Sequence, residues 1–239
     1  MPEEMMEQQV PLQQIGAYNV DIVMCIDGTA SMAPIIDEVK KNALDFYPKF
    51  VASMEKTRRN VAQLRIKLIV FRDYGCDASP MEESEFFTLP AEEEDFKRKV
   101  NEIEAQGGGD LPENALEAIA LAMQSDWTQE GRRRRHVILV FSDAAALPLR
   151  ERAGESSYPA EKMPKDREEL YDWWMFGNQS YCPKYQPKAG RLVVFVPDAE
   201  PWNEMQNWNR YTLKPSQAGE GLTELDIQEV IDIAVGSFN

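Results

Sequence analysis

The sequence predicts an α/β chain: a doubly wound, mainly parallel sheet with helices on both faces. Apolar runs of strand length alternate along it with amphipathic helical stretches, the pattern of parallel strands joined by crossover helices. At 239 residues, 43% hydrophobic and 10% aromatic, the chain has enough apolar material for one large core and is not of disordered composition.

The first strand is predicted over 20–26. A helix follows over 33–55, where Ile36, Val39, Ala43, Phe46, Phe50 and Met54 recur at three- and four-residue steps. Pro48 inside it is expected to kink or weaken one turn. The second strand covers 64–71. A loop over 73–83, punctuated by Gly, Pro and acidic residues, leads to a short third strand at 85–89. Helices are expected over 92–105 and 112–124, the second with Pro112 in the favoured first turn. Strand four is 136–141. Residues 147–190 break the rhythm with five prolines and an aromatic cluster, and read as an insertion with at most one helix, 165–176. The alternation resumes with a strand at 191–196, a short helix at 202–209, a small strand at 211–213 and a terminal helix at 224–235. The chain thus divides into an N-terminal extension, 1–17, and a single domain, 18–239, with no internal repeat or low-complexity segment.

A net charge of −15 disfavours nucleic acid and anionic membrane surfaces and favours divalent cations and basic partners. No apolar run reaches the roughly 18 to 20 residues that span a bilayer. Residues 1–9 are acidic and polar, without the basic, apolar-core leader of an exported protein, so the expected location is cytoplasmic. Cys25, Cys76 and Cys182 are odd in number and widely spaced, unlike a disulfide framework. The only histidine, His136, opens a strand, which disfavours metal or nucleophile chemistry built on histidine. Arg132 to Arg135 read as a solvated connection rather than a nucleic-acid patch.

The chemistry concentrates in Asp27-Gly28-Thr29-Ala30-Ser31, directly after the first strand. A carboxylate and two hydroxyls at alternate positions form a hard, oxygen-only ligand set that suits Mg²⁺ or Mn²⁺ better than zinc. Two further segments carry similar residues at element ends. Gly107-Gly108-Gly109-Asp110-Leu111-Pro112-Glu113 runs into a helix, and Ser142-Asp143 ends strand four. Each has a simpler reading: Asp27 and Asp143 as turn residues, and Asp110 with Glu113 as a helix-capping pair.

At these three places together the sequence resembles the von Willebrand factor type A family with its metal-ion-dependent adhesion site, over nearly the whole of 18–238 outside the insertion. The resemblance implies that the three loops converge and that Asp27, Thr29, Ser31, Asp110 and Asp143 surround one Mg²⁺ or Mn²⁺. It implies direct coordination by the Thr29 and Ser31 hydroxyls and direct or water-mediated contact by Asp27 and Asp143. Asp110 stands where the family usually has Thr, and Thr29 where Ser is commoner. A Gly-Gly-Gly-Asp second loop does occur among the family's intracellular bacterial and protist members, so the resemblance survives these departures. The third carboxylate is expected to tighten Mg²⁺ and to weaken the pull on an external carboxylate.

The function implied is a metal-dependent protein-interaction module, not an enzyme, that recruits a partner through a Glu or Asp. Asp27-Gly28-Thr29 also looks like a haloacid-dehalogenase loop, but Cys25 stands where that chemistry needs its nucleophilic Asp. A degenerate, metal-free interaction domain is the third possibility. Trp173 and Trp174, in an insertion that follows Asp143, are expected on the metal side of the sheet, as core or lid packing or as a partner contact.

Overall fold

The computed structural model describes residues 17–56, 60–109 and 112–215. Within them one sheet contains β1 (Tyr18–Asp27), β2 (Val61–Phe71), β3 (Met81–Glu83), β4 (Phe87–Leu89), β5 (Arg133–Phe141), β6 (Gly190–Val196) and β7 (Tyr211–Pro215). The described α-helices are α1 (Ile36–Lys56), α2 (Glu93–Asn101), α3 (Ala115–Met123) and α4 (Arg167–Phe176). Strand order is β3-β2-β1-β5-β6-β7, and β4 shares the outer edge of β2 with β3. From β2 to β7 every pairing is parallel; only the two short edge strands run antiparallel.

β1 takes the middle because it can be buried on both faces, and all of its residues are. Alternate side chains divide between two cores. Val20, Ile22, Met24 and Ile26 pack with Phe46 and Phe50 of α1 and Phe96 and Val100 of α2. Val23 and Cys25 pack on the opposite face with α3 and with Leu170, Trp173 and Trp174 of α4. Each large side chain so enclosed contributes about 1.5–3 kcal/mol. The chain leaves β1 for β2 on one side and returns to β5 on the other. Strand order therefore reverses between β1 and β5, and at their carboxyl ends lies the crevice where doubly wound sheets take ligands.

Several elements differ from expectation. Residues 85–89 are not one strand: β3 and β4 pair with opposite ends of β2, and β3 lies inside the expected 73–83 loop. A 3-10 turn, Ala30–Met32, precedes α1, which begins at Ile36 and continues through the exposed Pro48. The expected 202–209 helix is a 3-10 turn, Glu204–Asn207. The insertion holds α4 and two further 3-10 turns, Ala160–Lys162 and Pro187–Ala189. The terminal helix expected at 224–235 and the extension up to residue 16 lie outside the described residues.

The Trp pair also needs correction. Both rings are buried in the α3-side core, and Trp174 stacks on Tyr185 and bonds the Asn209 carbonyl. Tyr185 neighbours His136 near the start of β5, so this cluster sits toward the amino ends of the strands, away from Asp143. The insertion begins at the carboxyl end and carries its aromatics back along the sheet. His136 is a core residue: its ring stacks on Trp127, faces the Thr128 carbonyl and accepts the Gln186 N–H. Burial pulls its pKa down to about 4, which keeps it neutral. Arg133 to Arg135 belong to β5 rather than to a connection.

Candidate metal centre

Asp27 ends β1 with no solvent exposure. Its Oδ1 accepts the Thr29 N–H at 2.9 Å and the Thr29 hydroxyl at 2.6 Å, and its Oδ2 accepts the Ser142 hydroxyl at 2.6 Å. Ser31 donates to Asp143 Oδ1 at 3.0 Å, and the Thr29 and Ser31 hydroxyl oxygens lie 3.0 Å apart. Four of the five expected residues, Asp27, Thr29, Ser31 and Asp143, therefore meet in one oxygen cluster. Asp110 lies outside the described residues.

The cluster is short of protons. Thr29, Ser31 and Ser142 bring one hydroxyl proton each to four close contacts, and an ionised carboxylate brings none. With Thr29 donating to Asp27 and Ser31 to Asp143, the Thr29 to Ser31 contact joins two lone pairs. A proton on Asp27 completes the chain of bonds, and so does a cation drawn to both hydroxyl oxygens. Burial pushes the Asp27 carboxyl up to about 6, with Asp143 adding to the effect and the hydroxyl bonds opposing it.

Glu113, which the capping-pair reading took for a local cap, stands beside this cluster. It is buried, and its Oε2 has no hydrogen-bond partner among the described residues. Burial first, then the charges of Asp27, Asp73, Asp77 and Asp143, push its carboxyl up to about 8. Its backbone is stitched to the Asp143 loop: the Glu113 N–H bonds the Ala145 carbonyl and its own carbonyl accepts the Leu147 N–H. This bridge holds residue 113 outside the helix, which is why α3 begins at Ala115 and not at Pro112.

The glycine loop is anchored on both sides. Gln106 N–H bonds the Gly28 carbonyl and Ala30 N–H bonds the Gly107 carbonyl. Gly107 and Gly108 have φ of +67° and +77°, and a Cβ on Gly107 would lie 1.7 Å from Asp77 Oδ1. The Asp77 carboxylate accepts the Gly108 N–H at 3.0 Å. Arg72, also missed from sequence, ties the Gly28 and Glu104 carbonyls together from beneath. Asp73 differs from Asp27 in having a cation, since Arg152 of the insertion grips both of its oxygens.

Among the described residues no three His, Cys, Asp or Glu side chains gather closely enough to form a metal cluster by themselves. The available donors are Asp27 and Asp143 with three hydroxyls, and Glu113 stands near enough to feel both charges. An oxygen-only set with few carboxylates fits Mg²⁺, which keeps several of its own waters. Cys25 does not enter the cluster: its thiol points to the Ala118 carbonyl of α3, and burial pushes its pKa well up.

Comparison with known proteins agrees with this architecture. The model of the von Willebrand factor A domain matches residues 21–150, more than half of the chain. The alpha-protein kinase vwkA of Dictyostelium discoideum is 24% identical over 140 residues, which are 59% of this chain and 21% of the kinase. The chain thus spans about a fifth of that curated relative. Among solved structures, the pilus adhesin SpaC of Lactobacillus rhamnosus GG superposes with a TM-score of 0.52 at 10% identity, over 93% of this chain and 30% of SpaC. A von Willebrand factor type A protein of Catenulispora acidiphila gives 0.52 at 13% identity, over 90% of this chain and 42% of its own. The chain belongs to the von Willebrand factor A domain family.

Proposed function

We propose that this domain is a protein-interaction module that holds Mg²⁺ or Mn²⁺ at the carboxyl ends of β1 and β5 and recruits a partner through an Asp or Glu. The observation that carries the reading is the proton shortage among Asp27, Thr29, Ser31, Ser142 and Asp143. Asp27, Thr29, Ser142 and Asp143 are buried whereas Ser31 is exposed, so the cluster opens to solvent at the contact that lacks a proton, an arrangement suited to a cation entering from outside. Thr29, Ser31, Asp27 and Asp143 would hold the ion, with Glu113 adding negative charge nearby once its proton leaves and Asp110 as a further carboxylate. When bound, the ion supplies a Lewis-acidic position for a partner's carboxylate oxygen. The chain's own residues orient the donors, and the Ala30 to Gly107 and Gln106 to Gly28 bonds keep the loops in register.

Binding rather than catalysis is the proposed activity. His136 is enclosed and neutral, and Cys25, at the position of a dehalogenase-type nucleophile, lies beneath α3. The free Cys25, Cys76 and Cys182 fit the reducing conditions of the cytoplasm, the proposed location. No helix among the described residues is long and apolar enough to cross a membrane.

Thermal unfolding with and without millimolar Mg²⁺ tests the reading. A hundredfold excess over Kd stabilises by about 2.7 kcal/mol, which for a chain of this size raises Tm by roughly 5–10 °C. The rise is expected in the wild type and not in Asp27→Ala. No shift in the wild type would contradict the metal reading, and phosphatase turnover lost in Asp27→Ala would replace it with the dehalogenase one.

A further inference from the structure

A groove of about 770 Å³ opens between the start of α4 and the chain that follows β6. Its floor is apolar, formed by Leu116, Ala146, Leu149, Tyr171 and Trp208. Its rim is acidic, with Asp166, Glu168, Glu200 and Glu204. Arg167 is the one cation among the described lining residues, and it is paired with Glu204. Asp166 is occupied in capping α4 through the Glu169 N–H. Glu168 and Glu200 are exposed and have no ion-pair partner among the described residues. Ala146 is the residue bridged to Glu113, so the groove begins beside the candidate metal centre.

We infer that this groove docks an extended segment of a partner protein that carries Lys or Arg together with an aromatic or aliphatic side chain. The apolar floor takes the hydrophobic side chain, and the volume suits a few side chains rather than a folded domain. Glu168 and Glu200 take the cations, and the complementarity of charge selects a basic occupant over an acidic one. The inference rests on the proposed function only in taking the occupant to be a protein; the contacts themselves need no metal.

The test is to pan a random-peptide phage library against the whole chain in EDTA and to measure the enriched peptides by fluorescence polarisation. The expected peptides combine basic residues with an aromatic or aliphatic one, and bind about tenfold more weakly as salt rises from roughly 50 to 500 mM. Glu168→Lys with Glu200→Lys should weaken binding by about tenfold or more, and the paired Gln variants by less. Both positions are exposed, and unchanged melting curves verify that the variants fold. Enrichment of acidic or uncharged peptides, no enrichment, or indifference to the paired charge reversal would overturn the inference. So would a wild-type dimer in sedimentation that the reversal breaks, which would assign the groove to a second copy. Because divalent metal is absent throughout, a failure of Mg²⁺-dependent melting leaves this result independent.

Discussion

Asp21 and Asp27 lie on the same strand and, an even number of positions apart, on the same face of the sheet. Both are fully buried, yet their surroundings are opposite. Asp21, toward the amino end, receives Arg65 through two bonds of 2.8 and 2.6 Å and the Thr128 N–H at 2.6 Å. Asp27, at the carboxyl end, receives only neutral donors. Burial pushes both carboxyls up; Arg65 opposes this at Asp21, whereas Asp143 adds to it at Asp27. Asp21 thus comes with its own counter-charge, whereas Asp27 is built without one, the arrangement that suits a carboxylate drawing a cation from outside.

The largest effect that could break this contrast is expected at the amino end. Asp21→Asn leaves Arg65, whose side chain is 16% exposed, without its partner. Losing one member of such a pair costs about 3–5 kcal/mol. Urea unfolding should show the same loss with and without Mg²⁺; a loss that Mg²⁺ repairs would erase the distinction between the two carboxylates.

The pH dependence of the metal-free protein sharpens it. Folding raises Asp27 from its ordinary 3.8 to about 6 and Glu113 from 4.5 to about 8. The folded state therefore binds these protons more tightly than the unfolded chain. The stability they contribute is full below about 4 and is lost as pH rises toward about 8. Urea midpoints across that range should fall in the wild type, and Asp27→Asn with Glu113→Gln should flatten the fall.

Asp27→Asn alone is expected to behave unlike Asp21→Asn. In metal-free buffer it removes an uncompensated buried charge, so stability should change little or rise. The increment of about 2.7 kcal/mol at a hundredfold excess of Mg²⁺ should vanish. A smaller effect is expected at Ser142→Ala, which removes one donor to Asp27 at about 1 kcal/mol. Denaturant titration in EDTA and in Mg²⁺ measures both variants.

What the sequence made legible follows the same division. β1, β2, β5 and β6 could be read because strands deep in a parallel sheet are continuous apolar runs. β3, Met-Glu-Glu at the outer edge, has a burial pattern and composition no different from a loop's. The Asp27, Thr29, Ser31 and Asp143 set was visible because it lies at or just past the carboxyl ends of two predictable strands. Glu113 was hidden because its spacing from Asp110 matched a local cap, and its role depends on a bridge to Ala146 that no local pattern encodes. Arg65 and Arg72 were equally hidden, since their acceptors come from elements remote in sequence. The position of Trp173 and Trp174 was misjudged because neighbourhood to Asp143 along the chain does not reveal that the insertion runs back along the sheet.

The central claim is that a divalent cation replaces a proton in the Asp27 cluster. Calorimetric titration of Mg²⁺ into the metal-free protein near pH 6, in two buffers of different ionisation enthalpy, tests it most directly. Saturable binding is predicted, with heats that differ between the buffers because protons leave as the ion enters, a difference that fades above about pH 8, where Asp27 and Glu113 are both ionised. No saturable heat, or identical heats in the two buffers near pH 6, would contradict the account.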